Sequence, residues 1–174
     1  MRSAVAIVAC VAVLALVNLS IAGKERQLEN GRIVYLELAP VDPRSLMQGD
    51  YMALRFRIAN DALPAMQRTD SPSKRRLFGP SNLAAADGRI VALLDPRSIA
   101  SYRRLDEGTP PGANEILLRY RVREGTLKFA TNAFFFQEGT GKRYERARYG
   151  EFRVATDGEV LLTGLRGPEL EPLR

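Results

Sequence analysis

The chain has 174 residues, of which 45% are hydrophobic, 7% aromatic and 26% charged, and its formal net charge is +6. This length holds one domain besides a targeting segment, and the composition is that of a globular protein rather than a disordered one. The chain has no histidine and a single cysteine, Cys10, which excludes Ser-His and Cys-His catalytic pairs, an intradomain disulfide and a zinc site built from Cys and His.

Residues 4–22 are almost wholly apolar, interrupted only by Asn18 and Ser20. A transmembrane helix needs about 20 such residues, so this run predicts a membrane anchor behind a short tail of residues 1–3. The alternative is a cleaved signal peptide with Arg2 as its charged start and Ser20-Ile21-Ala22, with small residues at 20 and 22, as its cleavage site. The length of the run favours an uncleaved anchor.

A helical pattern continues past the apolar run, which predicts a stalk over residues 23–31. The charges on the two sides of the anchor nearly balance, since Arg2 and the amino terminus face Lys24 and Arg26. A short N-terminus before one span and a large C-terminal domain most often leaves that domain outside the cytoplasm. We therefore expect a single-pass protein of the inner membrane with a periplasmic or other extracytoplasmic domain.

A long, charged loop joins two runs that are typical of strands, residues 32–38 and 51–58. Proline and glycine fix two turns in it, and constrained, charged loops often carry function. The alternative is that its carboxylates only cap turns. The candidate residues of this loop are Asp42, Pro43, Arg44, Gly49 and Asp50.

The strand that follows alternates apolar and polar residues, with Met52, Leu54, Phe56 and Ile58 on its apolar face. We predict a short helix over residues 59–68, broken at Pro64, and then an exposed loop over residues 69–82.

Two hairpins are predicted in the second half. Residues 115–123 give the clearest alternation of the chain, and Glu124-Gly125 turns this strand into the next one. Asp157-Gly158 marks a second hairpin. The inward residues of the first strand are Ile116, Leu118, Tyr120 and Val122, and its outward residues are Arg119, Arg121 and Arg123.

Three consecutive phenylalanines at 134–136 cannot all face the inside of a one-sided strand, so at least one ring is expected to contact the stalk or a partner. A charged segment over residues 142–148 predicts a short helix. This region supplies the second set of candidate residues, Phe136, Gln137, Glu138, Gly139, Arg146, Arg148, Tyr149, Gly150 and Glu151.

The run Gly49-Asp50-Tyr51-Met52-Ala53-Leu54-Arg55-Phe56 resembles the signature of the GDYXXLXY family, a group of bacterial membrane-anchored proteins of unknown function. The segments 134–139 and 147–151 are similar to the second half of that family. Phe56 stands where the family pattern has tyrosine, so the ring is kept and the hydroxyl is lost. The resemblance adds Tyr51 and Leu54 to the candidate residues and implies membrane anchoring, but it supplies no chemistry.

Successive short strands joined by hairpins predict a β-rich α+β fold, an antiparallel β-dominated domain over residues 32–166 with one or two short helices. The Pro-rich tail, residues 167–174, is expected to be frayed.

Three functions fit these patterns. The first is a non-catalytic accessory module that docks onto an integral membrane protein. The second is a sensor or binder of an anionic ligand through Arg143, Arg146 and Arg148. The third is a hydrolase with carboxylates from Asp42, Asp50, Glu138 and Glu151, or with Ser45 paired to Lys128 or Lys142.

No diagnostic spacing supports catalysis, so we expect no enzyme activity, no cofactor and no metal. Arginines are spread along the chain with glutamates between them, so no nucleic-acid partner is expected either. We further expect Asp50 and Glu138 to pair with an arginine, Arg146 or Arg148 first, since buried carboxylates are rarely left unpaired.

Overall fold

The computed structural model of the protein describes residues 2–39, 47–48, 51–69, 85–131 and 133–173. Every strand pairing of these ranges within a sheet is antiparallel, and this confirms the predicted β-dominated α+β fold. The elements in chain order are α1 Arg2–Asn30, β1 Arg32–Glu37, β2 Met47–Gln48, β3 Tyr51–Ala53, α2 Arg57–Thr69, β4 Ala86–Leu94, β5 Ala100–Leu105, β6 Glu115–Arg123, β7 Thr126–Lys128, β8 Ala133–Phe135, a 3-10 helix Gly141–Arg146, β9 Tyr149–Val154 and β10 Val160–Arg166.

The strands form three sheets, with the orders β1-β9-β10, β2-β3-β8 and β5-β4-β6-β7. Two backbone hydrogen bonds join the first sheet to the third. The amide of Tyr35 in β1 donates to the carbonyl of Ser98 (2.9 Å), and the amide of Arg119 in β6 donates to the carbonyl of Gly158 (2.7 Å). One core therefore lies between the sheets.

The first predicted hairpin is confirmed as β6–β7. Its turn residues Glu124 and Gly125 have φ of 55° and 69°, and two positive values suit a two-residue turn of the primed type, whose twist matches that of the strands. Ile116, Leu118 and Val122 are buried and Tyr120 is half-buried, while the three outward residues, Arg119, Arg121 and Arg123, are exposed. The second hairpin is confirmed as β9–β10.

The signature strand is shorter than predicted, because Ile58 belongs to α2 and not to the strand. Met52, Leu54 and Phe56 are buried at the spacing of a strand, and Ile58, Ala62 and Met66 are buried at the i, i+4 spacing of a helix. The two periods overlap at residues 56–58, so alternation alone placed the boundary too late.

The predicted break at Pro64 is wrong, since α2 runs through it from Arg57 to Thr69. A proline inside a helix removes the hydrogen bond to the carbonyl four residues before it, here that of Asn60. Both Pro64 and Asn60 are exposed, so water can bond the freed carbonyl.

The tail is not frayed as expected but folds back along β10. Pro172 forms a bridge with Arg166, the amide of Gly167 donates to the carbonyl of Glu171 (2.9 Å), and the amide of Leu173 donates to the carbonyl of Leu165 (3.4 Å). The tail thus covers an edge of the sheet that would otherwise present unpaired backbone groups.

The core is centred on three aromatic rings. Phe56 packs edge to face against Phe152 (centroids 5.3 Å apart) and against Phe129 (6.4 Å), a geometry that places the positive edge of one ring on the negative face of another. Phe56, the last residue of the signature, therefore holds together strands that lie far apart in the sequence.

The predicted anchor and stalk form one continuous helix, α1. In the described part of the chain, α1 is the one helix long and apolar enough to cross a membrane, judged by length and composition over Ala6–Asn30. Its apolar side chains are exposed, Leu16 and Leu19 among them.

The C-terminal turns of α1 are fastened to the β9–β10 hairpin. The side-chain amide of Gln27, which is 7% exposed, donates to the carbonyls of Arg153 (3.1 Å) and Glu159 (2.9 Å). Lys24 pairs with Glu159 at 2.5 Å, and Arg153 donates to the carbonyl of Gly31 (3.1 Å). Helix and domain are thus joined without a flexible linker.

Candidate interaction surface

The signature strand β3 pairs directly with β8, which carries the first two residues of the phenylalanine run. The register places Tyr51 opposite Phe135, Met52 opposite Phe134 and Ala53 opposite Ala133. The two motifs, about 80 positions apart in the sequence, are therefore neighbours in one sheet, and residues directly opposite each other lie on the same face of it.

The two faces of this strand pair differ in burial. Met52 is 3% exposed and Phe134 is packed against the core. On the other face the rings of Tyr51 and Phe135 lie 5.8 Å apart, and Phe135 is 73% exposed. This confirms that the three phenylalanines do not share one buried face. We call Tyr51 and Phe135 the signature face.

Tyr144 connects the 3-10 helix to the phenylalanine run. Its ring lies 5.1 Å from that of Phe134 and 5.2 Å from that of Phe136, edge to face with the first and stacked on the second. Residues i and i+2 of an extended chain point to the same side, so Tyr144 fits between the two rings. The charged residues of the 3-10 helix are consequently left on the outside.

A turn joins the phenylalanine run to the 3-10 helix. The amide and the hydroxyl of Thr140 both donate to the carbonyl of Gln137 (3.0 and 2.6 Å), and Gly139 has a φ of +78°. Such a value favours glycine because it has no side chain.

Glu138, in the same turn, is exposed. Among the described residues it forms no ion pair, so the expected pairing with Arg146 or Arg148 is not found there.

Neutral backbone contacts, rather than this ion pair, connect the residues after β1 to both motifs. The amide of Leu38 donates to the carbonyl of Arg148 and the amide of Ala39 to that of Arg55, both at 2.8 Å. The positions of Leu38 and Phe56 form a further bridge. Backbone groups satisfy one another in this way without burying a charge.

Among the described residues, Glu151 forms an ion pair in which both side chains are largely buried. It pairs with Arg166, and its Oε1 accepts a hydrogen bond from the hydroxyl of Thr163 at 2.9 Å. The side chains of Glu151 and Arg166 are 12% and 24% exposed. Sequence reasoning did not find these two partners, because they come from β10 and only the register of the sheet brings them near.

The remaining candidate residues have different environments. Leu54 is buried, and Tyr149 is half-buried and lies opposite Glu37 and Arg166 in the sheet. Five candidates of the signature loop lie outside the described residues, namely Asp42, Pro43, Arg44, Gly49 and Asp50.

Two of the side chains considered for a hydrolase form ion pairs instead, and another lies outside the described residues. Lys128 pairs with Glu124 (3.4 Å) and Glu151 with Arg166, while Ser45 lies outside the described residues. Within those residues no group of three or more His, Cys, Asp or Glu side chains is placed to hold a metal ion.

One carboxyl away from this surface has a shifted pKa. The amide of Gly108 donates to Asp106 (2.9 Å) and holds the pKa of that carboxyl below its ordinary value, although burial opposes this. Arg89 acts in the same direction through its Nε at 2.8 Å. Hydrogen bonds to the charged form stabilise that form, and so the proton binds less readily.

Comparison with known proteins identifies the family of the chain. The sequence model described as GDYXXLXY protein matches residues 13–165, which is most of the chain. The chain belongs to the GDYXXLXY family. The match begins inside α1 and ends in β10, so it includes the signature face and Glu151 of this GDYXXLXY protein, while Arg166 follows just after it. Searches of curated proteins and of solved structures found no match.

Proposed function

We propose that this GDYXXLXY protein is a non-catalytic accessory subunit of a membrane protein complex. In this proposal α1 anchors the chain in the inner membrane, the β-rich domain stands on the extracytoplasmic side, and the signature face docks onto an integral membrane protein. No cofactor and no nucleic acid take part.

The observation that carries the proposal is the exposure of Phe135. Among the described residues beyond α1 it is the most exposed large apolar side chain, at 73%, against 42% for Leu93 and 37% for Ile33. Exposed aromatic rings are enriched among the residues that dominate binding at interfaces. Phe135 also lies on the partner strand of the family signature, which connects the exposed ring to the motif shared by the family.

The place where the chain leaves the first sheet, ahead of the signature, further supports a partner surface outside the membrane. Strand β9 runs from Tyr149 to Val154, and α1 contacts it near its C-terminal end, at Arg153. Arg148 lies just before the N-terminal end of β9, and its carbonyl accepts a hydrogen bond from the amide of Leu38. Five residue steps of a strand separate Val154 from Tyr149, about 17 Å. The segment that leads into the signature therefore starts at the end of the sheet remote from α1.

The test is co-purification from native membranes. The full chain with a C-terminal tag is extracted in mild detergent as wild type and as Phe135→Glu, and stoichiometric partners are identified by mass spectrometry. The proposal predicts a multi-pass protein bound to the wild type and lost from the variant.

The matched control is Leu93→Glu, which changes an exposed apolar residue of β4 in the same way. It should retain the partner. Thermal unfolding of both variants separates loss of docking from loss of fold. Equal partner recovery with Phe135→Glu and wild type would refute the signature face as the docking site.

A second candidate function is the binding of an anionic ligand by Arg143, Arg146 and Arg148. All three are exposed, and in the described ranges none of them forms an ion pair, so their guanidinium groups are available to a carboxylate or phosphate. Replacing all three by glutamine distinguishes the functions. Ligand binding predicts that these changes abolish activity in the complex while the partner is retained.

A further inference from the structure

A groove of about 750 Å³ lies where α1 meets the domain. One wall is a face of α1 that includes Leu19, Ser20 and Gly23, and the other includes Pro111, Ile116 and Leu117 from β6 and the loop before it. The volume is within the range of pockets that hold small molecules. The groove is separate from the signature face, since the two have no lining residue in common.

The composition of the groove changes along α1. The apolar run of the helix ends at Ala22, so Leu19 belongs to its last apolar turn, while Arg26 and Arg32 lie beyond it. A helix that spans a bilayer places this transition at the boundary between hydrocarbon and headgroups. The apolar end of the groove then faces acyl chains, and its charged end faces phosphates.

The charges in the groove leave a positive surplus. Each of its carboxylates has a cationic partner: Glu159 pairs with Lys24 (2.5 Å), Asp157 with Arg119 (3.6 Å) and Glu115 with Arg104 (3.5 Å). Arg26 and Arg32 are exposed and take part in no ion pair within the described residues. Two guanidinium groups at this depth are suited to bidentate bonds with a phosphate.

We propose that the groove binds one anionic phospholipid, whose phosphate pairs with Arg26 and Arg32 and whose glycerol and acyl chains lie along Leu19 and Gly23. The proposal rests on the membrane anchoring by α1 proposed above, and adds a lipid class and a site that docking by the signature face does not require. The bound lipid fills the space between the helix and β6 and stabilises their relative position.

The experiment uses the full chain in nanodiscs of equal parts phosphatidylcholine and phosphatidylglycerol. After release into detergent, native mass spectrometry measures which lipid the protein retains. Wild type is expected to retain one phosphatidylglycerol. The variant Arg26→Gln/Arg32→Gln is expected to lose this preference, about fivefold for each guanidinium and on the order of 30-fold for both.

The matched control is Arg103→Gln/Arg121→Gln, which removes two exposed arginines outside the groove and should retain the lipid as wild type does. A second variant tests the shape of the groove with its charges intact. A β-carbon at Gly23 would meet nothing within 4 Å, so Gly23→Leu is compatible with the helix and places its side chain in the groove. It should also lose the lipid.

Three results would overturn the proposal. Retention of phosphatidylglycerol by the double variant would show that the two arginines do not hold it. Competition by inorganic phosphate alone would show that the acyl chains contribute nothing. Retention of a partner's transmembrane helix in the groove, detected as a protein lost with Gly23→Leu, would replace the lipid as occupant.

Failure of the anchor itself is distinguished by carbonate extraction of native membranes. A chain released by carbonate refutes the anchor and the lipid site together. A chain that stays in the membrane without lipid preference refutes the lipid site alone.

Discussion

The ring of Phe56 occupies space that only a glycine at position 150 leaves open. A β-carbon at Gly150 would lie 2.9 Å from Cε2 of Phe152, closer than real β-carbon contacts, and 3.0 Å from Cε1 of Phe56, tighter than nearly all of them. The last residue of the signature and the glycine of the second motif are therefore a pair, and the size of one limits the other.

Gly150→Ala is expected to lower the free energy of unfolding by about 1–3 kcal/mol, because the added methyl group must displace two ring edges in a packed core. Denaturant unfolding of the full chain in detergent measures it. Gly164→Ala in β10 is the matched control, since a β-carbon there would meet nothing within 4 Å. Equal losses for the two variants would contradict the steric explanation.

Glu151→Ala is expected to lower the free energy of unfolding by about 3–5 kcal/mol, because it leaves the Arg166 guanidinium charged and largely buried without its partner. Glu37→Ala removes the carboxylate of an exposed pair with Arg57 (3.2 Å) and should cost about 0–1 kcal/mol. Thermal unfolding compares the two. A cost below about 1 kcal/mol for Glu151→Ala would show that water reaches the Glu151 pair.

Asp106 is expected to make the protein sensitive to acid. Because its folded-state pKa is lowered, its stabilising contribution is present above the unfolded-state pKa of about 3.9 and is lost as the pH falls through the lower folded value. Asp106→Asn should cost about 1 kcal/mol at neutral pH, and the difference from wild type should shrink below about pH 4. If the stability difference between wild type and Asp106→Asn did not depend on pH, the lowered pKa of Asp106 would be contradicted. In an Arg89→Gln background, this stability difference should be smaller.

Gln27→Ala is expected to loosen α1 from the β9–β10 hairpin, because the half-buried residues Arg153 and Glu159 each lose a hydrogen bond from the Gln27 amide, at a cost of about 0.5–1.5 kcal/mol per bond. Hydrogen exchange at the amide of Gly31, which donates to the carbonyl of Gln27 (2.9 Å), should become faster. Glu25→Ala, on an exposed position of the same turn, should leave that exchange unchanged. An unchanged exchange rate in Gln27→Ala would mean that the Lys24–Glu159 and Arg153–Gly31 contacts are enough to hold α1 on the hairpin.

The parts of the fold that could be predicted from the sequence are those with a local signal. The alternation of apolar and polar residues together with the turn Glu124-Gly125 predicted the β6–β7 hairpin, and the turn Asp157-Gly158 predicted β9–β10. Both predictions succeeded because turn residues and the period of a strand are determined within a few residues of sequence. The start of α2 was displaced because two periods overlap there. The pairing of β3 with β8 has no local signal, since it depends on where the whole chain returns.

The sequence also predicted only part of the candidate site. Reasoning from charge expected carboxylate–arginine pairs at Glu138, whereas the structure places the largely buried pair at Glu151 and joins the motifs with rings and backbone groups. Gln27 was not singled out at all. Its polar side chain at a buried position only becomes informative once β9 and β10 are known to offer it two carbonyls.

A single residue, Gly31, separates the end of α1 from the start of β1, and a β-carbon there would lie 2.4 Å from the carbonyl oxygen of Gln27. Together with the bonds of Gln27 and Lys24 to the β9–β10 hairpin, this short junction restrains the angle between the domain and its helix. If α1 anchors the chain in a bilayer as proposed, this restraint sets both the height of the domain above the lipid surface and its rotation, and the proposed partner would have to present its surface at one level and in one direction. Inserting a few flexible residues after Gly31 would lengthen the covalent link, but the bonds of Gln27 and Lys24 to β9–β10 would still hold the helix, so both coordinates change only when those bonds are removed as well.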